Sequence, residues 1–265
     1  MADTVTPRNV VKLVRDLQRR KARERRDLVL LEGRRLMEDA LGSGAKLVGV
    51  LASDHAADGA ATAPLLSRAR SQGIAVEVLP RKDFDELADT ETPSGVLAVA
   101  EWSPLTLENL PAPAGRAVAL VMDGVQDPGN VGTMIRTAHA LGAWCSIALD
   151  GTADVRGPKV LRGAMGSHFR HPVAEASFAD FTAYARARNL EILLATSSED
   201  LVTRPSSFVT PGATALVVGS EGHGVREDWR SVPARHVTIM MKGDAESLNA
   251  AVAAGILLHE LTRVA

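Results

Sequence analysis

The spacing of hydrophobic residues along the chain predicts alternating helices and strands. Over residues 8–41, apolar side chains recur at helical intervals with Arg and Lys between them, and Gly42 follows as a stop. Further elements are predicted as a strand at 46–51, a helix at 61–72, a strand at 74–79, a helix at 81–88 and a strand at 95–101. This order indicates a small α/β domain at residues 1–101.

A stretch that contains several Pro and Gly residues at 102–116 interrupts the alternation and predicts a linker. Beyond it, residues 117–265 predict a second α/β domain. Its strands are expected at 117–123, 144–150, 190–196, 213–220 and 236–241, and its helices at 131–141, 159–165, 178–189 and 247–264. Near-continuous apolar strands such as AVALVMD and ATALVVG are typical of a parallel sheet that is covered on both faces.

Charge is distributed unevenly along the 265 residues. The whole chain has a net charge of −2, yet residues 1–35 carry eleven Lys and Arg against five acids, which leaves +6 there and −8 elsewhere. A solvated helix face is the ordinary interpretation of such a stretch, and an RNA-contacting arm is the alternative. The candidate RNA contacts are Arg15, Arg19, Arg23 and Arg26. Aromatic residues make up only 3% of the chain, so platforms for stacking bases are scarce.

The single cysteine, Cys145, excludes an intramolecular disulfide and a zinc site built from several cysteines. This composition suits a reducing cytosol, and no metal site is expected. No apolar run approaches the roughly 20 residues that a membrane-spanning helix needs, and the first residues lack the apolar core of a secretory signal. We therefore expect a cytoplasmic protein without a membrane segment.

Three polar loops follow apolar strands of the second domain, where ligands of open parallel sheets bind. In the first, DGVQDPGNVGTMIR at 123–136, Asn130 is predicted to cap a helix that begins at Val131. The free N–H groups of such a helix could bind a phosphate. Arg136 lies six residues further on, about 240° around the helix, and so on a different face from Asn130.

The second loop, VVGSEGHG at 217–224, contains glycines that allow a close backbone approach to a flat ligand, and Glu221 as a hydrogen-bond acceptor. A simple turn explains it equally well. It matches neither a P-loop nor a dinucleotide fingerprint. The third loop precedes the last helix, which Asp244 or Ser247 could cap.

The order and content of the three loops resemble the signature motifs of the SpoU (TrmH-type) RNA 2′-O-methyltransferases of the SPOUT superfamily. The matching stretches are DPGNVGTMIRTAHALGA, LVVGSEGHGV and ESLNAAVAAGILLHE, and GPKVLRGAMGSHFRHPV resembles the segment that connects the first two. One departure is Ile239-Met240-Met241, where the family usually has Ile-Pro-Met. The residues at the start of the chain resemble a substrate-binding domain related to small ribosomal-protein folds.

The resemblance implies an N-terminal substrate-binding domain and a C-terminal α/β methyltransferase domain with a parallel sheet and a deep trefoil knot. It implies S-adenosylmethionine as cofactor and a homodimer formed through the C-terminal domain. The residues expected around the cofactor are Thr196, Val218, Gly219, Ile239, Met241 and Leu248.

The resemblance also implies catalytic roles for Arg136, Asn130, Glu221, Ser247 and Asn249. Family members are thought to use the arginine as proton acceptor, but guanidinium groups stay protonated in proteins, so a clamp on phosphate or oxyanion is the alternative. Asn130 and Glu221 would orient Arg136, and Ser247 and Asn249 would hold the ribose-phosphate or a neighbouring loop.

Arg162, in the connecting segment, joins the expected RNA contacts. The expected substrate is ribosomal RNA, with large-subunit RNA favoured. Transfer RNA is the alternative substrate. A non-catalytic RNA-binding protein and a phosphate-binding enzyme of another kind also stay open.

Overall fold

In the computed structural model, the described residues are 7–113, 115–196, 212–241, 243–244 and 247–263. The chain divides into two units. The first consists of Met1–Ser103 and Arg156–Phe169, and the second of Pro104–Val155 and Arg170–Ala265. Each unit contains its own sheet with helices, so the predicted α/β class is confirmed.

A four-stranded sheet in the order β1-β4-β2-β3 organises the first unit. Strand β4 is antiparallel to β1 and β2, whereas β2 and β3 are parallel. The strands are β1 (Leu28–Glu32), β2 (Leu47–Ser53), β3 (Ala75–Leu79) and β4 (Val96–Glu101). The helices are α1 (Pro7–Leu17), α2 (Arg20–Arg26), α3 (Arg34–Gly42), α4 (Asp54–Ala57), α5 (Ala63–Ser71), α6 (Arg81–Asp85) and, later in the chain, α8 (Pro158–Ala164).

The helical pattern predicted over 8–41 is wrong in its middle, where strand β1 separates α2 from α3. Leu28 and Leu30 pack into one hydrophobic cluster, and Val29 and Leu31 pack into a second. A run of four apolar residues fits a buried strand as well as a helix. Burial of alternate side chains in the two clusters shows that the strand is the form adopted here.

A six-stranded sheet in the order β10-β8-β9-β5-β6-β7 organises the second unit, and every neighbouring pair is parallel, as predicted. The strands are β5 (Val118–Asp123), β6 (Cys145–Leu149), β7 (Val173–Ala176), β8 (Glu191–Ala195), β9 (Thr214–Gly219) and β10 (Arg235–Val237). The helices are α7 (Pro128–Ala140), α9 (Phe178–Ala187) and α10 (Ala250–Arg263). Strand β7 was not predicted, and Val264, the predicted end of the last helix, lies outside the described residues.

Several residues of the stretch predicted as a linker, 102–116, pack within the second unit. Leu107 and Leu110 are buried in the core of the second unit, and the Pro111 carbonyl accepts a hydrogen bond from Trp144 Nε1 at 2.9 Å. Leu105 also forms a parallel bridge with Ala174. The assignment of RNA binding and methyl transfer to the two predicted domains stays a prediction.

The described helices include none that is both long and apolar enough to span a bilayer. Cys145 lies buried in β6, and burial raises the pKa of its thiol. It therefore stays protonated and unreactive at neutral pH.

A buried histidine lies beside β6 in the second unit. His171 is 5% exposed, and its Nε2 is 2.9 Å from the hydroxyl oxygen of Ser146, which is fully buried. The His139 ring lies 5.8 Å away. Burial, with a smaller contribution from the charge of His139, lowers the pKa of His171 to about 4.

The low pKa of His171 predicts that acid destabilises the protein. The unfolded chain takes up this proton near pH 6.5, whereas the native chain resists it down to about pH 4. The free energy of unfolding should therefore fall as the pH drops through this window, by about 3 kcal/mol in total. Urea denaturation of the wild type and His171→Gln between these two pH values checks this, because the variant should show a shallower pH dependence.

The exposed His259 offers a matched control for this measurement. His259→Gln should leave the pH dependence of unfolding equal to that of the wild type. Equal slopes for all three proteins would show that His171 does not cause the acid sensitivity.

Candidate active site

Two of the three predicted loops meet because their strands are neighbours. Strands β5 and β9 pair in parallel, and Asp123, the last residue of β5, lies opposite Gly219, the last residue of β9. The carboxyl ends of parallel strands lie at the same edge of a sheet. The loops after these two strands therefore start side by side.

Helix α7 begins earlier than predicted, and Asp127 is its N-cap. The Asp127 carboxylate accepts a hydrogen bond from the backbone N–H of Asn130 at 2.9 Å, and Pro128 occupies the first turn. The prediction that Asn130 caps the helix is therefore wrong. Asp127 takes that role because Pro128 is preorganised for the first helical turn. The side chain of Asn130 is left to make other contacts.

Asn130, Glu221 and Asn249, one residue from each of the three loops, are joined by hydrogen bonds. Glu221 Oε1 accepts from Asn130 Nδ2 at 2.7 Å and from Asn249 Nδ2 at 2.6 Å. Asn249 Nδ2 also lies 3.1 Å from Asn130 Oδ1. Hydrogen bonds to a carboxylate are stronger than neutral ones. Glu221 therefore ties the three loops into one cluster, which we call the Glu221 cluster.

Asn249 also caps helix α10. Its Oδ1 accepts from the backbone N–H groups of Ala251 at 3.0 Å and Val252 at 3.2 Å. The prediction of Asp244 or Ser247 as the cap is therefore wrong, because the helix starts later than expected. One side chain thus fixes both the start of α10 and the Glu221 cluster.

Arg136 lies outside the Glu221 cluster. It is exposed on α7 and makes no hydrogen bond or ion pair with the part of the chain that the structure describes. Within one chain Asn130 and Glu221 do not contact its guanidinium, because those two side chains bond to each other and to Asn249, and their role in orienting Arg136 stays a prediction. The helical separation of Asn130 and Arg136 accounts for this.

The loop after β9 is closed by backbone hydrogen bonds. Ser220 N donates to Gly224 O at 3.0 Å, and Gly224 N donates to Ser220 O at 2.9 Å. A Cβ on Gly219 would lie 2.0 Å from the Gly224 carbonyl carbon, so any side chain there would break the loop. Gly224 has φ +67°, a conformation that favours glycine. The local backbone therefore explains Gly219 and Gly224 without reference to a ligand, whereas a Cβ on Gly222 would meet nothing within 4 Å.

A cavity of about 420 Å³ opens beside this loop, within the second unit. All six residues predicted to surround a cofactor line it: Thr196, Val218, Gly219, Ile239, Met241 and Leu248. Glu221 and Ser247 also line the cavity, whereas Arg136 does not. The structure therefore brings the predicted cofactor residues together beside the Glu221 cluster.

The cavity wall also contains a histidine that the sequence did not single out. His236 on β10 lines the cavity, and its Nδ1 is buried without a hydrogen-bond partner among the described residues. Most buried polar atoms in proteins are hydrogen-bonded. Thr238, the residue just after β10, lines the cavity too.

An ion-pair network holds the far end of the second loop. Asp123 is 2% exposed and accepts from the Arg226 backbone N–H at 2.8 Å, from Arg226 Nε at 2.7 Å and from Trp229 Nε1 at 2.9 Å. Arg226 also contacts the Asp150 carboxylate at 3.1 Å. Burial alone lowers the pKa of Arg226, but hydrogen bonds to Asp123 and Asp150 outweigh it and raise the pKa. We call Asp123, Arg226 and Asp150 the Arg226 clamp.

The sequence contained one sign of the Arg226 clamp. A carboxylate such as Asp123, at the carboxyl end of a continuous apolar strand, is rarely buried without a cation. The first cation after the neighbouring strand is Arg226. That pairing depends on β5 and β9 being neighbours, which the sequence pattern does not state.

The predicted RNA contacts separate into two groups. Arg15, Arg19 and Arg26 line a groove of about 1420 Å³ in the first unit, together with other cations such as Lys12 and Arg25. Residues at the groove also include acids, so its charge is mixed. We call it the arginine groove.

Arg23 and Arg162 lie elsewhere and are engaged in the protein. Arg23 is 6% exposed, and its Nη1 donates to the carbonyls of Leu17 at 2.8 Å and Gln18 at 2.9 Å. Arg162 donates to Glu32 at 2.8 Å and to Asp89 at 2.7 Å. Both contacts are internal to the first unit, so the geometry disfavours these two arginines as RNA contacts.

Within the same described ranges, no group of three or more His, Cys, Asp or Glu side chains is placed to hold a metal ion.

Two family models together match most of the chain. Residues 117–259 match the SpoU rRNA Methylase family, and residues 8–98 match the MRM3-like substrate binding domain.

Comparisons with individual proteins point the same way. The 23S rRNA (guanosine(2553)-2′-O)-methyltransferase RlmP of Bacillus subtilis is 33% identical over 255 residues, 95% of each chain. The 23S rRNA (uridine(2479)-2′-O)-methyltransferase of Streptomyces viridochromogenes is 35% identical over 179 residues, 65% of this chain and 61% of that protein. The AdoMet-bound rRNA methyltransferase from Sinorhizobium meliloti superposes with a TM-score of 0.83 at 27% identity, over 98% of this chain and 97% of that one.

The Arg226 clamp predicts a large loss of stability when its cation is removed. Arg226→Met should lower the free energy of unfolding by about 3 kcal/mol, because Asp123 stays buried without its charge partner. Urea denaturation at neutral pH measures the change. The matched control is Arg230→Met, because Arg230 pairs with Glu227 on the surface and both side chains are more than 80% exposed. That variant should change stability by less than about 0.5 kcal/mol, and equal losses would contradict the clamp.

Proposed function

The chain belongs to the SpoU rRNA methylase family, as its three loops indicated, and from this we propose that it methylates the 2′-hydroxyl of a ribose in ribosomal RNA. The enzyme uses S-adenosylmethionine. The observation that carries the proposal is the cavity lined by all six predicted cofactor residues, next to the Glu221 cluster. Large-subunit RNA is the favoured substrate, because both named relatives act on 23S rRNA.

The cavity fits the cofactor by size and by chemistry. Its volume of about 420 Å³ falls in the range of roughly 300–1,000 Å³ typical of small-ligand sites. Val218, Ile239 and Leu248 supply apolar contacts for a flat base, and the buried Nδ1 of His236 is a polar atom with no described partner. Backbone groups around Gly219, Ile239 and Leu248 would hold the molecule. When bound, S-adenosylmethionine supplies a methyl group already activated on a sulfonium sulfur.

The protein must then align the ribose and manage one proton. The 2′-oxygen would give up its proton as it bonds to the methyl carbon, and the electron pair of the broken carbon–sulfur bond would stay on the sulfur. Negative charge would build on the oxygen while its proton leaves. A guanidinium stays protonated and cannot accept this proton. We therefore assign Arg136 to the phosphate beside the ribose and to the developing oxyanion, with water or the RNA itself taking the proton.

The Glu221 cluster supports this chemistry by holding three loops in one arrangement. Asn130 and Asn249 are fixed by Glu221, and Asn249 also fixes the start of α10. Ser247 lines the cavity and is exposed, and we assign it to the ribose-phosphate. Catalysis by alignment of the reactants requires that the catalytic side chains be held within about 0.5 Å of their productive positions.

The arginine groove is the proposed RNA interface of the first unit. Arg15, Arg19 and Arg26 line it, whereas Arg23 and Arg162 are left out because their guanidinium groups are engaged internally. With few aromatic residues in the chain, recognition should depend on phosphate contacts and RNA shape.

We further propose that the enzyme is a homodimer formed through its second unit. Val252 and Ile256 lie one turn apart on α10 and are 51% and 40% exposed, which gives that helix an apolar strip on its outer face. A trefoil knot at the cofactor cavity and a cytoplasmic location, where bacterial ribosomal RNA is found, complete the proposal.

The proposed activity is tested by incubating the enzyme with labelled S-adenosylmethionine and total RNA and mapping the methylated riboses. Label should appear in 23S rRNA. Arg136→Ala should lower kcat/KM at least about a thousandfold while the cofactor Kd, from calorimetry, stays within a few-fold, because Arg136 acts on RNA. A loss of cofactor binding as large as the loss of rate would contradict this role.

Arg186→Ala is the matched control, because Arg186 is an exposed arginine on another helix of the same unit. It should keep full activity. Label found only in transfer RNA would refute the substrate, and a wild type that does not bind S-adenosylmethionine would refute the activity itself.

The arginine groove leads to a prediction about salt dependence. Each phosphate contact that is lost lowers the slope of log K against log salt by about 0.7–0.9. Arg15→Gln should therefore weaken RNA binding and lower this slope by the amount expected for about one phosphate contact. Arg70→Gln is the control, since Arg70 is exposed in the same unit but does not line the groove. Equal slopes for both variants would place the interface elsewhere.

A further inference from the structure

One acidic side chain in the arginine groove is surrounded by arginines. Asp16 Oδ1 contacts Arg19 Nη2, and Asp16 Oδ2 lies 2.9 Å from Arg26 Nε and 3.4 Å from Arg25 Nη2. The Asp16 side chain is 15% exposed, whereas those of the three arginines are 44–74% exposed. A single carboxylate thus gathers three cations at the edge of the groove.

The contacts leave most of each guanidinium available. A guanidinium carries five N–H donors, and each arginine uses one nitrogen on Asp16. The hydrogen bond from Arg19 makes the largest contribution to lowering the pKa of Asp16, and the hydrogen bond and charge of Arg26 lower that pKa further. The carboxylate is therefore ionised at neutral pH, and the four charges together carry +2.

We infer that Asp16 is a positioning residue that assembles Arg19, Arg25 and Arg26 into a preformed site for the backbone phosphates of RNA. This inference rests on the proposed function. A free arginine side chain loses rotamer freedom when it binds a phosphate, and holding it in place beforehand removes part of that cost. Adjacent guanidinium groups that keep outward-facing donors match the repeated anions of an RNA backbone.

Simple electrostatics predicts the opposite effect of Asp16. A negative charge in a groove that binds a polyanion should weaken binding, so its removal should tighten binding. Positioning predicts that removal weakens binding, because the three arginines are released. The sign of the change therefore separates the two explanations.

Asp27 provides the matched control. It lines the same groove, is exposed, and its carboxylate makes no ion pair with the described residues. Its φ of 51° is a left-handed conformation that Asn adopts readily. Asp27→Asn therefore removes one negative charge from the groove without releasing an arginine.

The experiment measures binding of the full chain to a fluorescein-labelled RNA duplex of about 16 base pairs by anisotropy. Asp27→Asn should bind roughly twofold tighter, and Asp16→Asn roughly threefold to tenfold weaker than the wild type. Tighter binding by both variants would overturn the positioning role while leaving the proposed function intact. A wild type that does not bind the duplex would overturn the arginine groove as the RNA interface, and the inference with it.

A second variant guards against a change in folding. Asp16→Glu keeps the charge but shifts the carboxylate by one methylene, so charge alone predicts no change and positioning predicts weaker binding. Val10, Val14 and Leu17 anchor α1 in its core, so thermal unfolding of both Asp16 variants should match that of the wild type. Wild-type affinity in Asp16→Glu would also overturn the inference.

Discussion

The parallel pairing of β5 and β9 is the constraint on which the rest of the candidate site depends. It places Asp123 opposite Gly219, so a buried carboxylate and a loop without room for a side chain start at the same edge of the sheet. The Arg226 clamp then returns the second loop to β5, and Glu221 joins it to α7 and α10. The cavity is the space that these connections leave open.

Much of this arrangement could be predicted because it depends on local pattern. Continuous apolar strands indicated the parallel sheet, and the residues that follow them indicated the loops that line the cavity. The strand β1 was missed because its four apolar residues fit two periodicities, and only burial in two clusters distinguishes them. The cap of α7 was misplaced by three residues because Asp127, Pro128 and Asn130 all favour the start of a helix.

The contacts that could not be predicted join residues far apart in the chain. Arg226 and Asp123 are 103 positions apart, and Arg162 and Glu32 are 130 apart. Residue type alone does not identify the partner, because an arginine on the surface and an arginine in a buried ion pair have the same letter in the sequence. Arg226 stands out only once β5 and β9 are known to be neighbours. Arg23 shows the same limit, since it belongs to a basic run yet is buried.

The first unit is built from two separate stretches of the chain, and this limits how such proteins can evolve. Residues 156–169 belong to that unit, although they lie between β6 and β7 of the second unit in the chain. Leu161 packs in the same core as Val29 and Met37. Recombination that replaced only residues 1–103 would introduce new core side chains around Leu161. These side chains would not be matched to the retained residues 156–169. The first unit therefore cannot be exchanged as one continuous stretch of chain, because residues 156–169, which lie within the 117–259 match to the SpoU rRNA methylase family, help to complete its core.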